Sequence, residues 1–119
     1  MYDTTVVCPT KQPGSELQDT VASLLEQCDC TIEVIIVTAD QSDETDRVVE
    51  SLRQSLPTLH LPGHDAGISA AFNAGVRHAS GEYIVFMGSG DLFTDPYSCA
   101  TVIRAASEAG HPKLVIGQV

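Results

Sequence analysis

Short apolar runs alternate with amphipathic segments along this chain, and that alternation restricts its fold more than any other feature. The runs are Thr4–Cys8, Thr31–Val37, Thr58–Leu61, Glu82–Met87 and Lys113–Ile116. Between them, Ser15–Gln27, Asp43–Ser55, Ile68–Ala79 and Asp95–Ala109 read as helices. In the first of these, Leu17, Val21, Leu24 and Leu25 recur on one helical face. Ser15 suits an N-cap. In the second, Asp43, Glu44 and Asp46 open the segment and Arg53 lies near its end, as the helix dipole favours. Thr31–Val37 is almost continuously β-branched, which suits a strand covered on both faces. Strands that alternate with helices are joined by right-handed crossovers and lie parallel. The expected fold is α/β: a mostly parallel, Rossmann-like sheet of about five strands flanked by helices.

With 119 residues, 43% of them hydrophobic, the chain can bury one core. Its net charge of -10, with only 6 Lys and Arg, argues against nucleic acid or an anionic membrane as partner. An anionic ligand would have to be held by backbone N–H groups, a metal ion or a few local cations. No run is long and apolar enough to span a bilayer, and the start lacks the pattern of a signal peptide. A soluble, cytoplasmic protein is expected. Cys8 falls in a core strand, Cys28 and Cys30 form a lone C-x-C, and no second pair has zinc spacing. Cys99 completes the set, and reduced, unpaired thiols are expected. The last run is followed by no closing helix, so residues 1–119 read as the front portion of a larger fold, truncated at its C-terminus.

In an open parallel sheet, ligands sit outside the carboxyl ends of the strands. Four corners fall there: Pro9-Thr10-Lys11-Gln12, Thr38-Ala39-Asp40-Gln41-Ser42-Asp43, His64-Asp65-Ala66-Gly67 and Gly88-Ser89-Gly90-Asp91. Gly88 and Gly90 would let a phosphate or sugar approach the backbone. Asp91 stands where a divalent metal or a sugar hydroxyl could be held. Plainer readings apply to the same residues. The two glycines can simply shape a strand exit, Asp91 can be a surface turn residue, and Asp65 can cap the third helix. Asn73 is a poor helix former, which points to a specific bond, either to a ligand or to a nearby loop. His60 and His64 flank Pro62-Gly63 and read as solvated rather than as metal ligands.

Taken in order, these pieces resemble the family 2 glycosyltransferases, inverting enzymes with the nucleotide-sugar-binding fold called GT-A. The residues that carry the resemblance are Pro9-Thr10 after the first strand, Glu33–Val37 leading into an acidic turn, and Asp43 with Thr45. They continue with Asp65-Ala66-Gly67-Ile68, Asn73-Ala74-Gly75, and Ser80–Phe86 before the glycine turn. The resemblance implies that Pro9, Thr10 and Lys11 border the nucleotide base. Thr38 takes the place of an aspartate that holds uracil or ribose, and Asp40 could substitute for it. Asp65, Gly67, Asn73, Gly88, Ser89 and Gly90 would complete the donor site, and Asp91 would hold Mg²⁺ or Mn²⁺. The turn Gly88–Asp91 replaces the family's D-x-D motif, and only its last residue is acidic. Losing one stabilising group at the leaving diphosphate costs about 3–4 kcal/mol, so Lys11 becomes the supplementary cation to consider. The implied reaction moves a sugar from a nucleotide-sugar donor to a glycan or lipid-linked acceptor, at the inner face of the membrane in the second case.

The general base of that reaction would fall beyond Val119, so no catalytic residue is assigned. The alternative is a non-catalytic relative acting as a nucleotide-binding or interaction domain. An exposed sheet edge would invite self-association, which makes a homodimer a further expectation. A response-regulator receiver is disfavoured, because its acidic pair and phosphorylatable aspartate are missing after the first and third strands. A dinucleotide-binding domain is disfavoured because no G-x-G-x-x-G follows the first strand.

Overall fold

A computed structural model describes residues 2–10, 15–39, 43–63, 67–88, 93 and 95–108. Strands β1 (Thr4–Thr10), β2 (Ile32–Thr38), β3 (Thr58–Leu61) and β4 (Tyr83–Phe86) alternate with helices α1 (Ser15–Leu25), α2 (Asp43–Arg53), α3 (Ile68–His78) and α4 (Ser98–Glu108). The sheet order is β3-β2-β1-β4 and every pairing is parallel. This is the α/β architecture expected from the alternation. Four strands lie in the described residues, and the expected fifth, Lys113–Ile116, falls outside them.

The period of two along each strand sorts the side chains into two layers. Val6, Cys8, Ile32, Val34 and Ile36 point to one face and pack with Leu17, Val21 and Leu24 of α1 and Val48, Val49 and Leu52 of α2. Val7, Ile35 and Val37 point to the other and meet Ala71 and Phe72 of α3. Burying one such aliphatic side chain contributes about 1.5–3 kcal/mol, so both faces of β1 and β2 stabilise the fold. This explains the unbroken apolar run Val34–Val37 in β2. On the second face, α3 lies close to β1 because Gly75 has no Cβ: one built there would sit 2.3 Å from Val7 Cγ1.

The amino-terminal edge of the sheet is closed by a polar network. Glu33 accepts hydrogen bonds from the Thr5 hydroxyl at 2.8 Å, the Ser80 N–H at 2.8 Å and the Ser80 hydroxyl at 2.5 Å. Thr5 Oγ1 in turn accepts the Gly81 N–H at 2.8 Å. Beside it, Asp3 and Thr31 exchange bonds, Asp3 N–H to Thr31 Oγ1 at 2.8 Å and Thr31 N–H to Asp3 Oδ2 at 3.0 Å. Partial burial would raise the Glu33 pKa, but the bonds from Ser80 and Thr5 outweigh it and hold the carboxyl below its ordinary value. These bonds fix the end of α3 against the starts of β1 and β2.

Helix α4 begins at Ser98, three residues after the expected start at Asp95. Asp95 still acts locally: its carboxylate accepts the Tyr97 N–H at 2.7 Å, and its carbonyl accepts the Ser98 N–H at 3.2 Å. The turn that Asp95 and Pro96 form thus precedes the regular helix rather than opening it.

Candidate functional site

The direction of the sheet reverses between β1 and β4. From β1 the chain steps outward to β2 and β3, then returns to the other side of β1 for β4. In open α/β sheets such a reversal leaves a crevice outside the carboxyl ends of the two strands. Here the two strands are of unequal length. β4 pairs with β1 only as far as Phe86 beside Val7, and Met87 N–H adds one bond to the Val7 carbonyl at 3.0 Å. β1 continues to Thr10.

Pro9 is compatible with this geometry. The ladder groups of alternate residues in β1 point to the same neighbour, and those of Asp3 and Val7 serve β4. Pro9 falls in that series at a level where β4 has already ended, so its missing N–H removes no strand pairing. Thr10 stands beside Thr38 in register. Both side chains belong to the face that carries α1 and α2, and both are buried. Gly88 follows Met87, two residues past the end of β4 on the carboxyl side of the sheet.

Thr38 has a partner that the sequence did not suggest. His60 lies in β3, in register with Ile36, and its Nε2 is 2.8 Å from Thr38 Oγ1. The ring is well covered, with 8% of the side chain exposed, and Nδ1 lies 4.0 Å from Asp46 Oδ1 of α2. Burial lowers the His60 pKa. The Asp46 carboxylate opposes that shift and the Arg53 guanidinium reinforces it. The imidazole is therefore neutral at pH 7. His60 was expected to be solvated, but in the fold it sits in a strand and binds Thr38. The run Thr58–Leu61 already placed His60 in a strand, but its pairing with Thr38 follows from the register between β2 and β3.

The remaining predicted site residues divide in two. Gly67 is described and precedes α3 with φ 104°, a left-handed conformation in which a side chain would be strained. Its carbonyl accepts the Ala71 N–H at 3.1 Å. Asn73 is exposed on α3, the helix that covers the opposite face of the sheet from the Thr10 and Thr38 side chains. Lys11, Asp40, Asp65, Ser89, Gly90 and Asp91 lie outside the described residues. Among the described residues no group of three or more His, Cys, Asp or Glu is placed to hold a metal ion. No helix among them is long and apolar enough to cross a membrane.

Known proteins share both the sequence pattern and the fold. "Glycosyltransferase GlyA" of Streptococcus pneumoniae serotype 4 is 27% identical over 94 residues, covering 78% of this chain and 14% of that protein. The "Minor teichoic acid biosynthesis protein GgaB" of Bacillus subtilis is 26% identical over 98 residues, covering 79% of this chain and 11% of that protein. The chain thus spans a small part of the length of these relatives. Among solved structures, S. aureus TarS 1-349 superposes with a TM-score of 0.80 at 22% identity, covering 89% of this chain and 32% of that one. Residues 5–119 match the family described as glycosyl transferase family 2, nearly the whole chain, and the protein belongs to that family.

Proposed function

We propose that this chain forms the donor-binding portion of an inverting glycosyltransferase that moves a sugar from a nucleotide-diphosphate-sugar to a glycan or lipid-linked acceptor. The observation that carries the reading is the reversal of strand order at β1 and β4, on the carboxyl side of which the register sets Thr10 beside Thr38 and β4 runs out toward Gly88, in a chain of glycosyl transferase family 2. S. aureus TarS 1-349, which shares the fold, has been solved in complex with UDP and in complex with UDP-GlcNAc, which supports a uridine nucleotide as the first ligand to try.

In this reading the base and ribose lie along Pro9, Thr10, Lys11 and Thr38, with Asp40 nearby. The diphosphate-sugar lies toward Gly88, Ser89 and Gly90, with Asp65, Gly67 and Asn73 on the side of α3. Asp91 is the carboxylate for Mg²⁺ or Mn²⁺, which would screen the charge that grows on the departing nucleotide. Thr38 serves by hydrogen bonding rather than by charge, since it is neutral. No residue is assigned as the general base.

A second reading is a nucleotide-binding domain without transfer activity. It is favoured by the Thr38 hydroxyl already sharing a bond with His60 where the family carries an acid. Ligand binding comes first for both readings. UDP at about 100 times its Kd should stabilise the fold by about 2.7 kcal/mol, read as a raised melting temperature. With Mg²⁺ or Mn²⁺ the shift should grow, and Asp91→Asn should abolish the metal-dependent part. If millimolar UDP, GDP and their sugars with either metal leave the melting temperature unchanged, both readings fail. If UDP binds but UDP-sugars are neither hydrolysed nor transferred by the full-length protein, the second reading stands.

A further inference from the structure

We infer that Cys30 and Cys99 form an oxidisable dithiol, a modification site whose disulfide staples α4 to the amino-terminal edge of the sheet. Their Sγ atoms lie 2.7 Å apart although the residues are 69 positions apart in the chain. A disulfide bond is about 2.05 Å long, so a small rotation of two side chains brings the sulfurs to bonding distance. The backbone around them is already docked. Cys99 N–H donates to Gln27 Oε1 at 2.9 Å, Gln27 Nε2 donates to the Asp95 carbonyl at 2.9 Å, and Cys28 N–H donates to the Pro96 carbonyl at 2.7 Å. Thr4 Oγ1 lies 3.7 Å from Cys30 Sγ and 3.6 Å from Cys99 Sγ. The other two cysteines are placed elsewhere. Cys8 belongs to the core between the sheet and α1 and α2, and the exposed Cys28 directs its thiol to the Glu26 carbonyl at 3.6 Å.

The two thiols have different roles. Cys30 is half-buried and Cys99 is fully buried, so an external oxidant reaches Cys30. The bond from Cys99 holds the Cys30 pKa below its ordinary value, while that same bond and burial push the Cys99 thiol up. Cys30 is therefore the attacking sulfur. With oxidised glutathione, the Cys30 thiolate bonds to one glutathione sulfur, the glutathione disulfide breaks, and one glutathione leaves as thiolate. Cys99 then loses its proton and bonds to Cys30 Sγ, expelling the second glutathione thiolate. Two cysteine thiols are oxidised by two electrons, and one oxidised glutathione becomes two reduced ones, which take up the two protons.

The site is at the start of β1 and not at its end. Thr10 lies six positions along the chain from Thr4, about 20 Å along a strand, so this inference stands apart from the donor-site reading.

The test uses oxidised glutathione on the full chain, followed by thiol blocking, trypsin and mass spectrometry without reduction. Cys28 and Cys30 share one tryptic peptide, so Cys28→Ser is used to place the link. The expected product joins Gln12–Arg47 to His78–Arg104 with the loss of two hydrogens. The melting temperature should rise by at least about 5 °C on oxidation and fall back with a reductant. Cys30→Ser should remain folded by circular dichroism and give no linked peptide. The proposal is overturned if Cys30 and Cys99 emerge separately blocked or glutathionylated, or if Cys30→Ser forms a Cys28–Cys99 link in equal yield.

Discussion

The two edges of the sheet are built in opposite ways. At the amino-terminal edge, Glu33, Thr5, Ser80 and Gly81 satisfy one another in a hydrogen-bond network. At the carboxyl edge, β4 stops short of β1, and glycine follows it at Gly88. The difference teaches where polarity is spent. Charge in this acidic chain is used for structure at the closed edge. At the open edge the buried hydroxyls of Thr10 and Thr38 and the imidazole of His60 are neutral, and the acids of the first α2 turn, Asp46 among them, stand beside them.

If this contrast is right, substitutions at the closed edge should lower stability without a separate effect on UDP binding, and those at the open edge should do the reverse. The largest effect is expected at Gly81. A Cβ there would meet the backbone at Thr5 N, 2.5 Å, and Thr4 C, 2.6 Å, which cannot move aside like a side chain. Gly81→Ala should cost about 3 kcal/mol, seen as a melting temperature lower by roughly 10 °C. A neutral result would break the claim of close packing at this edge.

Glu33→Gln should cost about 2–3 kcal/mol, because a charge-assisted acceptor shared by three donors becomes a neutral amide. The pH dependence gives a second check. The folded carboxyl has a lower pKa than the ordinary 4.5, so the unfolded chain binds the proton more readily. The contribution is complete above that ordinary value and is lost as pH falls through the folded one. Glu33→Gln should flatten the stability loss over that acid window.

Thr38→Val should cost about 1–2 kcal/mol, since it leaves the covered His60 Nε2 without its partner. UDP binding should weaken further than this stability loss explains. An affinity equal to the unmodified protein's would separate Thr38 from the donor site and sharpen the contrast to packing alone. His60 adds a milder pH effect. Its folded pKa lies below the ordinary 6.5, so stability is full above that value and declines as pH falls through the folded one. His60→Gln should remove this decline. The smallest effect is expected at the exposed pair Arg53–Glu50, 2.6 Å apart in α2. Breaking it should change stability by about 0.5 kcal/mol or less.

Much of this was legible in the sequence. Apolar periodicity fixed the order and type of eight elements, because burial on one or two faces demands it. The parallel sheet followed from the crossovers. Other features depended on what lies beside what. The strand order β3-β2-β1-β4 decides that Thr10 stands beside Thr38 and that the order reverses between β1 and β4. The start of α4 moved to Ser98 because the Asp95 carboxylate and carbonyl shape a turn first. No local pattern joins His60 to Thr38 across 22 residues, or Cys30 to Cys99 across 69. Sequence determined the periodic part of this protein, since a repeating apolar face is a local property of the chain. Tertiary structure decided the pairings, since contacts between distant residues exist only after register and crossover have set neighbouring strands side by side.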